Sequence, residues 1–210
     1  MQGSYCNLSS VSKTLAAQIW NGIKSDEQAR VILRSPKQIT HLSPKDVQTK
    51  PAKISVFLYN VTELSSMRNQ PQTQSPEKPR TLLCLNLHFL ITPLTRNAED
   101  DQILLGKILQ VFSQTPVLRG PQLQGSLKED GDDLRIALDA LAVDDLNKIW
   151  TMLQAPCKLC LSYNVYPVRI KSTIKLKRKP VLEKTKFTVE KQQKKVPLRE
   201  KLAHNDLVKK

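Results

Sequence analysis

Leu8, Val11, Leu15, Ile19 and Ile23 recur at three- and four-residue spacing, with Asn7 or Ser9 placed to cap them. That period predicts an amphipathic N-terminal helix ending near Ser25. Residues 34–53, punctuated by Pro36, Pro44 and Pro51, read as a connector across the surface. ISVFLYNV, Ile54 to Val61, is β-branched, aromatic and too apolar for one wet face, which predicts an interior strand. A second proline-rich loop, residues 65–80, feeds a long strand from Leu82 to Thr92, and its length marks it as functional. Between Asp100 and Gln114, Ile103, Leu104, Ile108, Leu109, Val111 and Phe112 share one helical face, behind Glu99, Asp100 and Asp101, where the helix dipole favours carboxylates. Pro116 stops that helix. EDGDD, Glu129 to Asp133, turns into a strand from Leu134 to Ala140. A second helix follows, marked by Leu146, Ile149, Trp150 and Leu153, opened by Asp144 and Asp145 and ended by Pro156. From Lys158 to Ile170, Leu159, Leu161, Tyr163 and Val165 alternate with Lys158, Cys160, Ser162 and Asn164, the signature of a half-buried strand. Strands mixed with single helices, without a βαβ repeat, predict an α+β fold: a mixed, mostly antiparallel sheet with two or three packed helices.

Charge divides the chain. Residues 171–210 hold 14 Lys and Arg against 4 Asp and Glu, whereas the whole chain of 210 residues carries a net +14. The expected organisation is therefore a nearly neutral domain, 1–170, and a basic extended tail, 171–210. The tail has one aromatic, Phe187, and no Gly, too little apolar matter for its own core. Three readings of it stay open on composition: neutralising phosphates, lying as a strand along an acidic neighbour, or remaining solvated. The longest apolar stretch, Leu82 to Leu94, is broken by Asn86, His88, Thr92 and Pro93 and falls short of a membrane span. A soluble protein with no membrane partner is expected. The start MQGSYCNLSS has neither the basic nor the apolar region of a secretory signal, so cytoplasmic assembly is expected.

No catalytic constellation is evident, and no enzyme, cofactor or metal is expected. His41, His88 and His204 lie in a connector, a strand and the tail, and His88 reads as a strand residue with a satisfied hydrogen bond. Nothing matches a phosphate-binding glycine loop. Cys157 and Cys160 form CKLC without a second Cys/His pair, at a strand start where residues three apart face opposite sides. The pairs Asp100–Asp101, Asp132–Asp133 and Asp144–Asp145 read as caps and turns.

The block succession KISVFLYNVTELSSMRN (53–69), LNLHFLITPL (85–94), DDQILLGKILQVFSQTPVL (100–118) and LRIALDALAVDDLNKIWTMLQAPCKLCLSYNVYPVRI (134–170) resembles the N-terminal domain of the cap, or tail-tube terminator, protein of bacterial extracellular contractile injection systems. These are phage-tail-like particles. The motifs that carry the resemblance are Phe57-Leu58-Tyr59 with Arg68-Asn69, Leu87 to Pro93, Leu104 to Gly106, Pro116 to Leu118, and Leu146 to Trp150. The resemblance implies a tail-terminator fold and a structural protein. It implies a hexameric ring that ends tube polymerisation and anchors the sheath, with inner tube and sheath proteins as partners. It also implies assembly in the bacterial cytoplasm, then residence in a cytoplasmic or released particle. On this reading the loops 34–53 and 65–80, with Arg68, Asn69, Pro71 and Pro76, contact the ring and tube. The tail residues Lys175, Lys177, Arg178, Lys179, Lys184, Lys186 and Phe187 form a sheath-binding arm. A nucleic-acid-binding protein acting through the tail is the disfavoured alternative.

Overall fold

The long apolar patterns all become elements in the computed structural model, which describes residues 6–46, 52–67, 81–131 and 133–171. These residues belong to a unit spanning Met1–Leu176. Helix α1, Asn7–Ile23, buries Val11, Leu15, Ile19 and Ile23 on the stripe its periodicity marks. Neither expected cap acts as one. Cys6 precedes the helix without a side-chain cap, and Asn7 turns inward to donate to the Arg169 carbonyl at 2.9 Å. Helix α3, Ala98–Gln114, is capped by Asn97, carries Glu99, Asp100 and Asp101 in its first turn, and buries Leu104, Leu105, Ile108, Val111 and Phe112. Helix α5, Val143–Met152, begins with Asp144 and Asp145 in its first turn and buries Trp150.

Two short helices are additions to the expected set, giving five α-helices among the described residues where two or three were expected. Helix α2, Glu27–Ile32, lies between the expected end of α1 near Ser25 and the connector expected from residue 34, a stretch given no element by its pattern. Its cap is Asp26, whose carboxylate accepts from Ala29 N–H at 3.0 Å and pairs with Lys107 of α3 at 3.0 Å. Those two contacts, the backbone bond first, hold the Asp26 carboxyl below the usual carboxylate range. Helix α4, Ser126–Asp130, precedes the turn at Gly131, whose φ of 66° suits glycine.

Among the described residues six strands form one sheet in the order β1-β2-β3-β6-β5-β4. They are β1 (Ile39–Thr40), β2 (Ile54–Glu63), β3 (Thr81–Pro93), β4 (Val117–Leu118), β5 (Leu134–Asp139) and β6 (Leu161–Lys171). Among the described residues only β1 and β2 run parallel, and the other pairs are antiparallel. The expected class, α+β with a mostly antiparallel sheet, is the one observed. Pro167 occupies the central strand β6 at the irregularity where Leu85 pairs with Val168 and Leu87 with Val165, a place where a missing ladder donor costs little.

The sheet has two unlike faces. On one, Ile54, Val56, Leu85, Leu87, Phe89, Ile91, Tyr163, Val165, Val168, Leu134 and Ile136 pack under α1 and α3 in the main core. On the other, Leu90, Trp150 and Leu153 form a smaller cluster with Phe57, Tyr59, Leu146, Ile149 and Cys160. Helix α5 therefore covers only part of the second face. This double cover explains the apolarity of β2, which reads as an interior strand. Its faces are buried at its start, but β1 lies beside only Ile54 and Ser55, and residues 60–63 are exposed.

Candidate functional site

Arg68, Asn69, Pro71 and Pro76 lie outside the described residues, as do Lys175, Lys177, Arg178, Lys179, Lys184, Lys186 and Phe187. His204 and Asp132 lie outside them too. Among the described residues, no three His, Cys, Asp or Glu side chains are grouped to hold a metal. Cys157 and Cys160 sit ahead of β6 rather than within it, because the strand begins at Leu161; Cys157 is exposed and Cys160 half-buried. Burial pushes the Cys160 thiol up from its usual value, which opposes thiolate chemistry.

The open part of the second sheet face carries a polar chain across four strands. Thr62 Oγ1 of β2 is 3.0 Å from His88 Nε2 of β3, and His88 Nδ1 is 3.6 Å from Asp139 Oδ2 of β5. Tyr59 Oη meets Ser162 Oγ of β6 at 3.1 Å, and Ser162 donates onward to Asp139 at 3.5 Å. The half-buried Tyr59 phenol is pushed up by burial, with Asp139 adding to the shift. His88 is thus a hydrogen-bonded strand residue, as its position in the sequence implies. Hydroxyl, imidazole and carboxylate stand in relay order, yet neither cavity described below is lined by Thr62, His88 or Asp139. The chain ties strands laterally. Sequence reasoning missed Tyr59, Thr62, Asp139 and Ser162 as a group; the signal available was polar alternation, without the register that joins them.

One cavity, of about 570 Å³, opens at the lower end of β6 between Arg119, Arg135 and Arg169, with Met67, Tyr166 and Pro167 in its walls. Arg119 Nε is already paired with Asp133 Oδ2 at 2.9 Å. A second cavity, of about 380 Å³, lies between Trp20 and Lys13 of α1 and His41. Burial, its largest cause, disfavours the charged form of His41. The acidic pairs do local work: Asp101 accepts from Thr95 N–H and Oγ1 at 3.1 and 2.6 Å, and Asp145 pairs with Lys148 at 2.9 Å.

What the domain offers a neighbour is a sheet with ragged rims. Strand β1 covers two residues of β2, and β4 covers two residues of β5. Val61 on one rim is 41% exposed and Leu138 on the other 54%. No helix among the described residues is long and apolar enough to cross a membrane.

No curated protein matches the sequence. Solved structures similar to it include the PVC sheath/tube terminator of an extracellular contractile injection system in its extended state, 15% identical over 80% of this chain and 63% of that chain, with a TM-score of 0.46. The tube-terminating cap of the anti-feeding prophage is 19% identical over 69% of this chain and 51% of that one, with a TM-score of 0.41. The chain thus spans less than two thirds of the length of either. A family model matches residues 10–184, from the first turns of α1 past the end of β6, and the chain belongs to that family, the Pvc16 N-terminal domain.

Proposed function

We propose that this chain is a cap, or tube terminator, of a contractile injection system: a structural subunit of the particle that closes one end of its inner tube and anchors the sheath there. The observation that carries this reading is the family match over residues 10–184, which takes in every block of the sequence resemblance. The two terminators named above bear the same role in their names. The finer parts of the proposal are a ring of six copies, tube and ring contacts through residues 34–53 and 65–80, and a sheath contact through Lys175, Lys177, Arg178 and Lys179. The proposal also includes assembly in the cytoplasm before any release of the particle, and a role without a catalysed reaction.

A terminator of this kind works by occlusion. A tube made of stacked rings presents unsatisfied contacts at its growing rim, and a ring matching its rotation covers them without presenting the same surface again. The test is electron microscopy of particles assembled with and without the gene, using a tagged copy. Label at one end only, with tubes of uncontrolled length or bare sheaths in its absence, is the expected result. Label scattered along the particle, or unchanged assembly without the gene, overturns the reading.

A further inference from the structure

Three arginines from separate stretches of the chain converge on the cavity of about 570 Å³ at the lower end of β6: Arg119 just after β4, Arg135 of β5 and Arg169 of β6. The register explains how two of them meet. Val165 and Val168 both lie in the main core, opposite Leu87 and Leu85, so two residues of β6, Tyr166 and Pro167, stand against the single residue Asn86 of β3. The extra residue shifts the alternation of the strand. Tyr166 and Arg169, three apart, therefore both face away from the core, and Arg135 lies directly opposite Tyr166. The apolar wall of the cavity, Leu64, Met67 and Pro167, is held in place. Leu64 N–H donates to the Cys84 carbonyl at 2.8 Å and Met67 N–H to the Leu64 carbonyl at 3.0 Å, while the Cys84 thiol donates to Met67 Sδ at 3.4 Å. Cys84 pairs with Arg169 in the register, so this wall and that arginine share one rung of the sheet.

The charges are unequally committed. Arg119 Nε pairs with Asp133 Oδ2 at 2.9 Å, with both side chains more than half exposed, and that bond leaves the Nη end of the guanidinium fork as donors. Arg135 is exposed and has neither an ion pair nor a side-chain hydrogen bond among the described residues. Guanidinium forks match carboxylate and phosphate alike, and the surroundings select between their carriers. The turn beside the cavity is acidic in sequence, EDGDD over Glu129–Asp133, and Gly131 and Asp133 line the cavity itself. A nucleic acid, charged at every nucleotide, meets like charge there, and its sugar-phosphate backbone has nothing to set against Leu64 and Met67. A peptide carries a carboxylate and a neighbouring apolar side chain on one short stretch. The volume lies within the range of about 300–1,000 Å³ usual for ligand-sized sites.

We infer that this cavity is a docking site for an acidic segment of another protein, one carboxylate of the segment held by Arg135 with the Nη end of Arg119, and an adjacent apolar side chain set against Leu64 and Met67. Arg169 adds to the positive field. Asp133 acts as an internal competitor for Arg119, keeping the site occupied in part until the segment arrives. The site goes beyond the cap reading and does not depend on it.

The test uses the full chain and a peptide with blocked ends in which glutamates flank a leucine, followed by a photoreactive benzophenone side chain; crosslinked residues are mapped by mass spectrometry. The expected result is crosslinking at Leu64–Met67 or Tyr166–Pro167 that saturates with peptide and is absent when glutamines replace the peptide's glutamates. Arg135→Gln should raise the half-saturating concentration about tenfold, the scale of one lost charge-assisted bond. Lys24→Gln, which removes the same charge from an exposed position outside the cavity lining, should leave it unchanged. Asp133→Asn should lower it about threefold by releasing Arg119 from an exposed pair, and a gain of binding cannot come from a damaged fold. The circular dichroism spectra of the variants should match that of the parent chain. Crosslinks confined to residues 171–210 would assign the binding to the basic tail and overturn the inference, as would equal binding by Arg135→Gln or no gain from Asp133→Asn. A short oligothymidylate that binds the cavity more tightly than the peptide, and loses that affinity in Arg135→Gln, would give the site to nucleic acid and overturn it too.

Discussion

Asn7 and Ser126 show how much a single polar group decides here. Asn7 is 1% and Ser126 4% exposed. The Ser126 hydroxyl donates to Asn7 Oδ1 at 2.6 Å and stands 3.0 Å from Ser10 Oγ, joining the start of α1 to the start of α4. Ser126→Ala removes a donor from one buried group and a partner from another. Urea denaturation should show a loss of about 1–3 kcal/mol, the usual cost of leaving buried polar groups short of a bond. A loss below about 0.5 kcal/mol would mean these groups find other partners. Tyr163 supplies a pH prediction. Its phenol packs edge-on to Phe112 with ring centres 4.9 Å apart, and burial pushes its pKa from 10.0 up to about 12. The unfolded chain then loses this proton at lower pH than the folded one, so stability is intact below pH 10 and falls as pH rises through the interval to about 12. Tyr163→Phe should flatten that alkaline decline, read from thermal midpoints across the interval. An unchanged slope would place the decline on other groups. Neither residue's partners were legible beforehand: Asn7 reads as a helix cap because a polar residue before an apolar stripe usually is one, and only the fold brings residue 126 to it.

At the scale of elements, legibility followed length. Helices of 17 residues, α1 and α3, show several repeats of their period, and the alternation of β6 exposed its inward side. Strands β1 and β4 have two residues each, too few for any period, and exist because a long neighbour offers them hydrogen bonds. Helix α2 carries a start signal of its own. Asp26 followed by Glu27 is a cap and first-turn signal, obscured by its closeness to the end of α1. The crossing of α1 and α3 was not readable, since it depends on a close approach. A Cβ built on Gly22 of α1 would overlap the Val111 side chain of α3. In a free helix Gly→Ala gains about 1 kcal/mol. Here Gly22→Ala should instead lose about 1–3 kcal/mol through overpacking. Combining it with Val111→Ala should cost less than the sum of the two single changes, the coupling expected of residues in contact. Simple additivity in that cycle would show that the helices move apart at no cost.

For the whole molecule the division is one of charge against core. Every buried apolar residue of the main cluster lies between Val11 and Val168, whereas residues 177–210 carry 12 Lys and Arg against 4 Asp and Glu. Folding free energy of the described body and long-range attraction to a partner should therefore be separable by one cut. A chain ended after Leu176 keeps all of β6 and the unit Met1–Leu176. Its denaturation midpoint should stay within the range of a surface change, about 0.5 kcal/mol. Removing a net charge of +8 acts elsewhere, because attraction between opposite charges across solvent is screened over about 8–10 Å at ordinary salt. In the cap reading, particles built with the shortened chain should keep closed tubes of normal length while their sheaths detach from the capped end. Raising the salt around particles with the full chain should reproduce that detachment and leave the tube closed. Sheaths held equally well after the cut would assign anchoring to the body instead. Open or overlong tubes after the cut would mean that the basic segment takes part in closing the tube and that charge and core are not separate devices.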